Sequence, residues 1–94
     1  MMFIKLFKVN RRQTLEGEQF YLSEVSINAT QISFMSENTD LKNMLNEGKI
    51  NLNLNKNADF TDMRLHNSNE ITVIGSPSVI ESKILTSNKT LLKG

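Results

Sequence analysis

Between Lys49 and Asn55 apolar and polar residues alternate without a break. Ile50, Leu52 and Leu54 fall on one side, and Lys49, Asn51, Asn53 and Asn55 on the other. A period of two is the pattern of a strand with one buried face and one wet face. Five further runs carry the β-branched and aromatic residues that favour strands. Phe3 to Val9 (FIKLFKV) reads as a first strand, apolar enough to be buried on much of both faces. Phe20 to Ile27 and Thr30 to Ser36 read as strands joined by a short turn at Asn28-Ala29, which makes them a hairpin. Phe60 to His66 and Glu70 to Ile74 read as a second hairpin around Asn67-Ser68-Asn69, and Arg11 to Gly17 as a polar loop.

The period changes in two places. Leu41, Met44 and Leu45 are spaced i, i+3, i+4, one stripe of a short helix. Asn38 or Thr39 can cap its start, Asp40 suits the positive end of its dipole, and Gly48 suits the position just past its end. Ser76-Pro77 opens a second helix lined by Val79, Ile80, Lys83 and Ile84, with Ser78 and Glu81 as a competing capping box. About six strands and two short helices make an α+β domain, mainly an antiparallel curled sheet or partly open small barrel, with the last helix plugging one end. Residues 1–86 are expected to form one domain and residues 87–94 a loose tail. A chain of 94 residues can bury enough surface to fold without a staple.

Composition narrows the chemistry. The chain has no cysteine, which excludes disulfides, thiolate nucleophiles and cysteine-based metal sites. That absence leans toward a cytoplasmic protein. The apolar start, Met1 to Val9, is interrupted by Lys5 and Lys8 and is too short for a signal-peptide core or a membrane span. Phe, Tyr, Met, Ile, Asn and Lys supply 39 of the 94 residues, a bias toward AT-rich codons that points to a low-GC bacterium or its phage. In the phage case a virion component becomes an alternative to the cytoplasm.

No catalytic constellation emerges, and the expectation is a chain that is not an enzyme and needs no cofactor. His66 is the single histidine, with Asp59 and Asp62 nearby in sequence, but one histidine without cysteine makes a poor transition-metal site. Asn55, Asn57, Asp59 and Asp62 alternate as in a calcium loop, yet Phe60 stands at its glycine position and His66 at its bidentate glutamate. The four glycines are isolated, so nothing cradles a phosphate.

Phe60 to Ile84, FTDMRLHNSNEITVIGSPSVIESKI, resembles the C-terminal half of the FlbD/SwrD family of small bacterial proteins. That half runs strand, tight polar turn, an "(I)TV" strand, a proline step, and a helix with Val/Ile-x-x-x-Ile spacing. MFIKL and GEQFYLSEVSI are compatible with the family's first strands, so the resemblance touches about half the chain. Gly75 stands where an acidic residue is usual, Asn-Ser-Asn replaces a glycine turn, and residues 37 to 57 read as an insertion. The resemblance implies a fold and no catalytic residues. The family's association with flagellar motility is not carried over.

Two functional expectations follow. The first is a protein-interaction or self-assembly module whose exposed edge is the Lys49, Asn51, Asn53, Asn55 strand, because a strand without proline whose polar face is uncharged beyond Lys49 is poorly protected against edge pairing. Its partner would be a second copy or another protein, with no membrane involved. The second is a small nucleic-acid-binding barrel, with Lys5, Lys8, Arg11 and Arg12 for the backbone and Tyr21, beside Phe20, for base stacking. A formal net charge of +1 gives that reading little long-range attraction.

Overall fold

The computed structural model describes the backbone of residues 2–93 and the side chains of residues 2–87. Five strands form one antiparallel sheet: β1 (Phe3–Thr14), β2 (Gly17–Asn28), β3 (Ile32–Glu37), β4 (Phe60–Leu65) and β5 (Glu70–Ile74). Their order across the sheet is β2-β1-β5-β4-β3, so β2 and β3 are its two edges. Helix α1 (Thr39–Asn46) follows β3, and α2 (Pro77–Lys93) follows β5. The fold is α+β, a curled sheet that does not close into a barrel.

The stretch read as the polar loop Arg11 to Gly17 is mostly strand. β1 continues to Thr14, and the chain reverses through Leu15 and Glu16 into β2. Gly17 takes a φ of +118°, which a side chain would strain, and Thr14 Oγ1 donates to the Gly17 carbonyl at 2.7 Å. All twelve residues of β1 then pair with β2, from Phe3 opposite Asn28 to Thr14 opposite Gly17.

This pairing displaces the hairpin expected at Asn28-Ala29. The inner side of β2 belongs to β1, and residues Ala29–Gln31 form a 3-10 turn that carries the chain to the far edge. Asn28 Oδ1 accepts from Thr30 N at 3.1 Å and from Thr30 Oγ1 at 2.7 Å, which caps that turn. β3 pairs with β4 instead, through a bulge between Ile32 and Phe34. The β4–β5 hairpin forms as the sequence implies. Its left-handed position is Ser68, at φ +71°, and not an asparagine.

The clearest strand of the sequence is not a strand. Lys49 to Asn55 lies in a loop between α1 and β4, so among the described residues the sheet has five strands and not six. The alternation itself survives: Ile50 and Leu52 are buried while Lys49, Asn51, Asn53 and Asn55 are exposed. The asparagines divert the backbone. Asn51 Oδ1 accepts from Asn53 N at 3.2 Å and Asn55 Oδ1 from Asn57 N at 2.9 Å, while Asn53 sits at φ +55°. Side chains that satisfy the backbone two residues on compete with a strand ladder.

The local signals at helix ends hold. Asn38 Oδ1 accepts from Leu41 N at 2.9 Å. At the other end Gly48 N reaches Leu45 O at 3.1 Å and Lys49 N reaches Met44 O at 2.8 Å, with Gly48 at φ +75°. Those two bonds are the Schellman arrangement. Ser76 Oγ, not Ser78, accepts from Val79 N at 3.2 Å at the start of α2. Helical backbone then runs through the segment read as a tail up to Lys93; its side chains from residue 88 and residue 94 lie outside the described residues.

Two apolar clusters flank the sheet. On one face Ile4, Leu6, Ile27, Met63 and Val73 pack with Ile80 of α2. On the other, Phe60 packs with Leu41 and Leu45 of α1 and with Ile50 and Leu52 of the loop. Thr61 is fully buried and satisfied, since its hydroxyl donates to Gly75 O at 2.7 Å. That bond and Gly75 N to Asp59 O at 2.8 Å set where the chain leaves the sheet for α2.

Candidate interaction surface

The registers sort the ribbon of β1 and β2 into two faces, because neighbouring residues of a strand point to opposite sides. Ile4, Leu6, Lys8, Asn10 and Arg12 share the α2 face with Ile27, Val25, Ser23, Tyr21 and Gln19. Phe3, Lys5, Phe7, Val9 and Arg11 share the α1 face with Asn28, Ser26, Glu24, Leu22 and Phe20. The proposed basic face is thereby divided. Lys8, Arg12 and Tyr21 lie on one side of the ribbon, Lys5 and Arg11 on the other.

Two of these cations already face carboxylates. Lys5 Nζ lies 4.0 Å from Glu24 and Arg11 3.6 Å from Glu18, all four side chains well exposed. Arg11 also sits 5.8 Å from the centre of the Phe20 ring. Arg12 stacks 4.9 Å over Tyr21 and donates to Gln19 Oε1 at 3.2 Å. The rings that would stack on bases are thus covered by the protein's own guanidinium groups.

The residues weighed for metal or acid–base chemistry do not converge. His66 is exposed at the β4–β5 turn, and its backbone N–H donates to Gln31 O at 2.8 Å. Asp59 accepts from Lys42 at 2.6 Å. That bond and the charge of Asp59 raise the Lys42 pKa above its ordinary value, with Glu37 at 3.9 Å adding to the effect. Asp62 instead accepts from Asn38 Nδ2 at 3.0 Å and Thr72 Oγ1 at 2.6 Å. The two carboxylates of the would-be calcium loop are therefore clamps: Asp59 holds α1 through Lys42, and Asp62 joins the start of α1 to β5. Among the described residues no cluster of three or more His, Asp or Glu is placed to hold a metal ion.

The sheet's edges differ sharply from one another. β3 is only six residues long and bulged, two features that blunt an edge. β2 is twelve residues long, pairs without a register shift, and contains neither proline nor lysine. Among the described residues no strand flanks it on the outside, and no backbone hydrogen bond from outside the ribbon reaches it between Glu18 and Asn28. The loop residues Asn51, Leu52 and Asn53 share a recess with Phe20, Tyr21 and Leu22. Ser23 to Asn28 lies beyond that recess. Beside it on the α1 face stand Phe3 and Phe7, 56% and 51% exposed.

This edge is not the one the sequence suggests. Lys49, Asn51, Asn53 and Asn55 are on the surface, but their backbone offers no ladder. The useful signal lay at Gly17, which takes the chain from the Leu15-Glu16 turn into β2. No helix among the described residues is long and apolar enough to cross a membrane. No protein-family model matches the chain, and neither a curated protein nor a solved structure shows significant similarity to it.

Proposed function

We propose that this protein is a non-catalytic interaction module that assembles with copies of itself through the outer edge of β2. The observation that carries the reading is the contrast between the two edges. An unpaired strand offers a row of N–H and C=O groups to any other strand, and proteins that stay monomeric blunt such edges. β3 is blunted and β2 is not. The exposed Phe3 and Phe7 add apolar area beside the open stretch, so that strand pairing there would also remove ring surface from water.

Antiparallel pairing of two β2 strands about Val25 supports the reading further. It sets Glu24 of each copy beside Ser26 of the other and Ser23 beside Ile27, with no like charges opposed. The two five-stranded sheets would continue as one. Each copy would keep α2 on the same side.

The test is the double substitution Glu24→Lys with Ser26→Lys. Both residues are exposed, so the fold is expected to survive, which circular dichroism checks. Four lysines would then meet across the joint. Size-exclusion chromatography with light scattering should show the wild-type oligomer reduced to monomer. An unchanged oligomer mass with an intact fold sinks the β2 edge.

A further inference from the structure

A second open edge lies on the inner side of β1, across that strand from the β2 joint. β5 ends at Ile74, and Lys8 is the β1 residue in register with it, opposite Val73. Beyond that point Gly75, at φ +112°, turns the chain away toward α2. From Phe3 to Leu6, β1 therefore continues with β2 on one side and no strand on the other, among the described residues. That is a slot of about 13 Å along the strand.

Helix α2 forms the far wall. Ile80 and Ile84 pack into the core, and the neighbouring stripe of Val79, Lys83 and Thr86 lines a groove with Phe3, Ile4 and Lys5. The groove is a shallow one, open to solvent, of about 500 Å³. Phe3 and Val79 are both half or more exposed although they stand on its walls. Among the described residues its charged lining is Lys5 and Lys83. The Glu24 contact to Lys5 is long, at 4.0 Å, with both side chains largely in water.

The geometry points to an extended, acidic segment of another protein as the occupant, added to the sheet as a strand beside Phe3–Leu6. Backbone groups of β1 supply the hydrogen bonds, as in other cases of strand addition to a sheet edge. Side chains of the guest alternate between the α1 face, beside Phe3 and Lys5, and the α2 side, beside Val79 and Lys83, so each side offers one apolar group and one cation. Opposite charge selects the partner and speeds its arrival. A lysine-rich segment meets like charge on both rims and is rejected.

The experiment uses the intact wild-type protein and three labelled octapeptides, with Glu-Val, Ser-Val and Lys-Val alternation. Fluorescence anisotropy reads affinity, and amide NMR reads the place of binding. The Glu-Val peptide should bind best, weaken as salt rises, and shift the amides of Phe3 to Leu6 and of the facing turns of α2. Lys5→Glu and Lys83→Glu, both exposed positions, should each weaken it roughly tenfold and improve the Lys-Val peptide. Equal binding of all three peptides would overturn the proposal. So would shifts confined to Leu22–Asn28, which would place the peptide on the β2 edge, or Phe3–Leu6 shifts that appear on concentrating the protein without peptide. Since β1 and β2 amides are read separately, failure here leaves the self-assembly reading intact, and the reverse also holds.

Discussion

At the scale of single residues, short polar side chains do most of the positioning. Asn38 works in two directions, capping α1 through its oxygen and donating to Asp62 through its nitrogen. Asp62 also takes the Thr72 hydroxyl, so one carboxylate oxygen joins α1, β4 and β5. Asn38→Ala should therefore cost more than an isolated cap, about 1–3 kcal/mol in urea unfolding, because Asp62 loses a donor as well. Asn38→Asp keeps the cap and sets two carboxylates together, so it should rescue little. Residues of this kind were legible in the sequence. Asn38, Gly48 and Ser76 act on backbone groups within three or four positions of themselves, and such chemistry is written in the local order of residues.

At the scale of elements, the legible and the illegible separate by range. Each helix announced itself by its stripe and caps, and the β4–β5 hairpin by its turn. The failures were of pairing, at β2, and of element type, at Arg11–Gly17 and Lys49–Asn55. Whether β2 joins β1 or β3 depends on which apolar faces meet across the sheet, and Gly17 at the start of β2 is the one local cue to the answer. At Lys49–Asn55 the burial pattern was right and the element wrong. Period two reports which side chains are buried, and a loop lying across Phe60 buries alternate residues just as a strand does. The loop's own dihedrals give a test. Asn53→Gly should be neutral or stabilising by about 0.5 kcal/mol, since φ +55° suits glycine. Asn53→Pro should destabilise the monomer, because proline cannot adopt a positive φ. Neither change should alter the stoichiometry of molecules that remain folded, a result sedimentation velocity can check. A selective loss of assembly in folded Asn53→Gly would return the joint to this loop.

At the scale of the whole molecule, one curled sheet is covered on both faces at different places. α2 plugs one side, α1 and the loop cover part of the other, and the ribbon's outer edge is left open. The overall class, α+β with a curled antiparallel sheet, was readable from the mix of periods. The candidate site was not, because an edge is a property of strand order, and order is set by long-range contacts. The basic residues illustrate the same point: Lys5, Lys8, Arg11 and Arg12 are close in sequence, but the pleat sends them to opposite faces. Nucleic acid would thus meet only two of the four together, either Lys8 and Arg12, beside a Tyr21 ring that Arg12 already covers, or Lys5 and Arg11, which face Glu24 and Glu18.

The most direct test of the central claim is native mass spectrometry of the purified wild-type protein, with its 260/280 nm absorbance ratio taken on the same sample. With no tryptophan and one tyrosine, the chain absorbs so little at 280 nm that any bound nucleic acid would dominate the ratio. Assembly through β2 predicts a discrete oligomer, dimer first, with no nucleic acid. A monomer at every concentration, or a particle held together by nucleic acid and dispersed by salt, would contradict it.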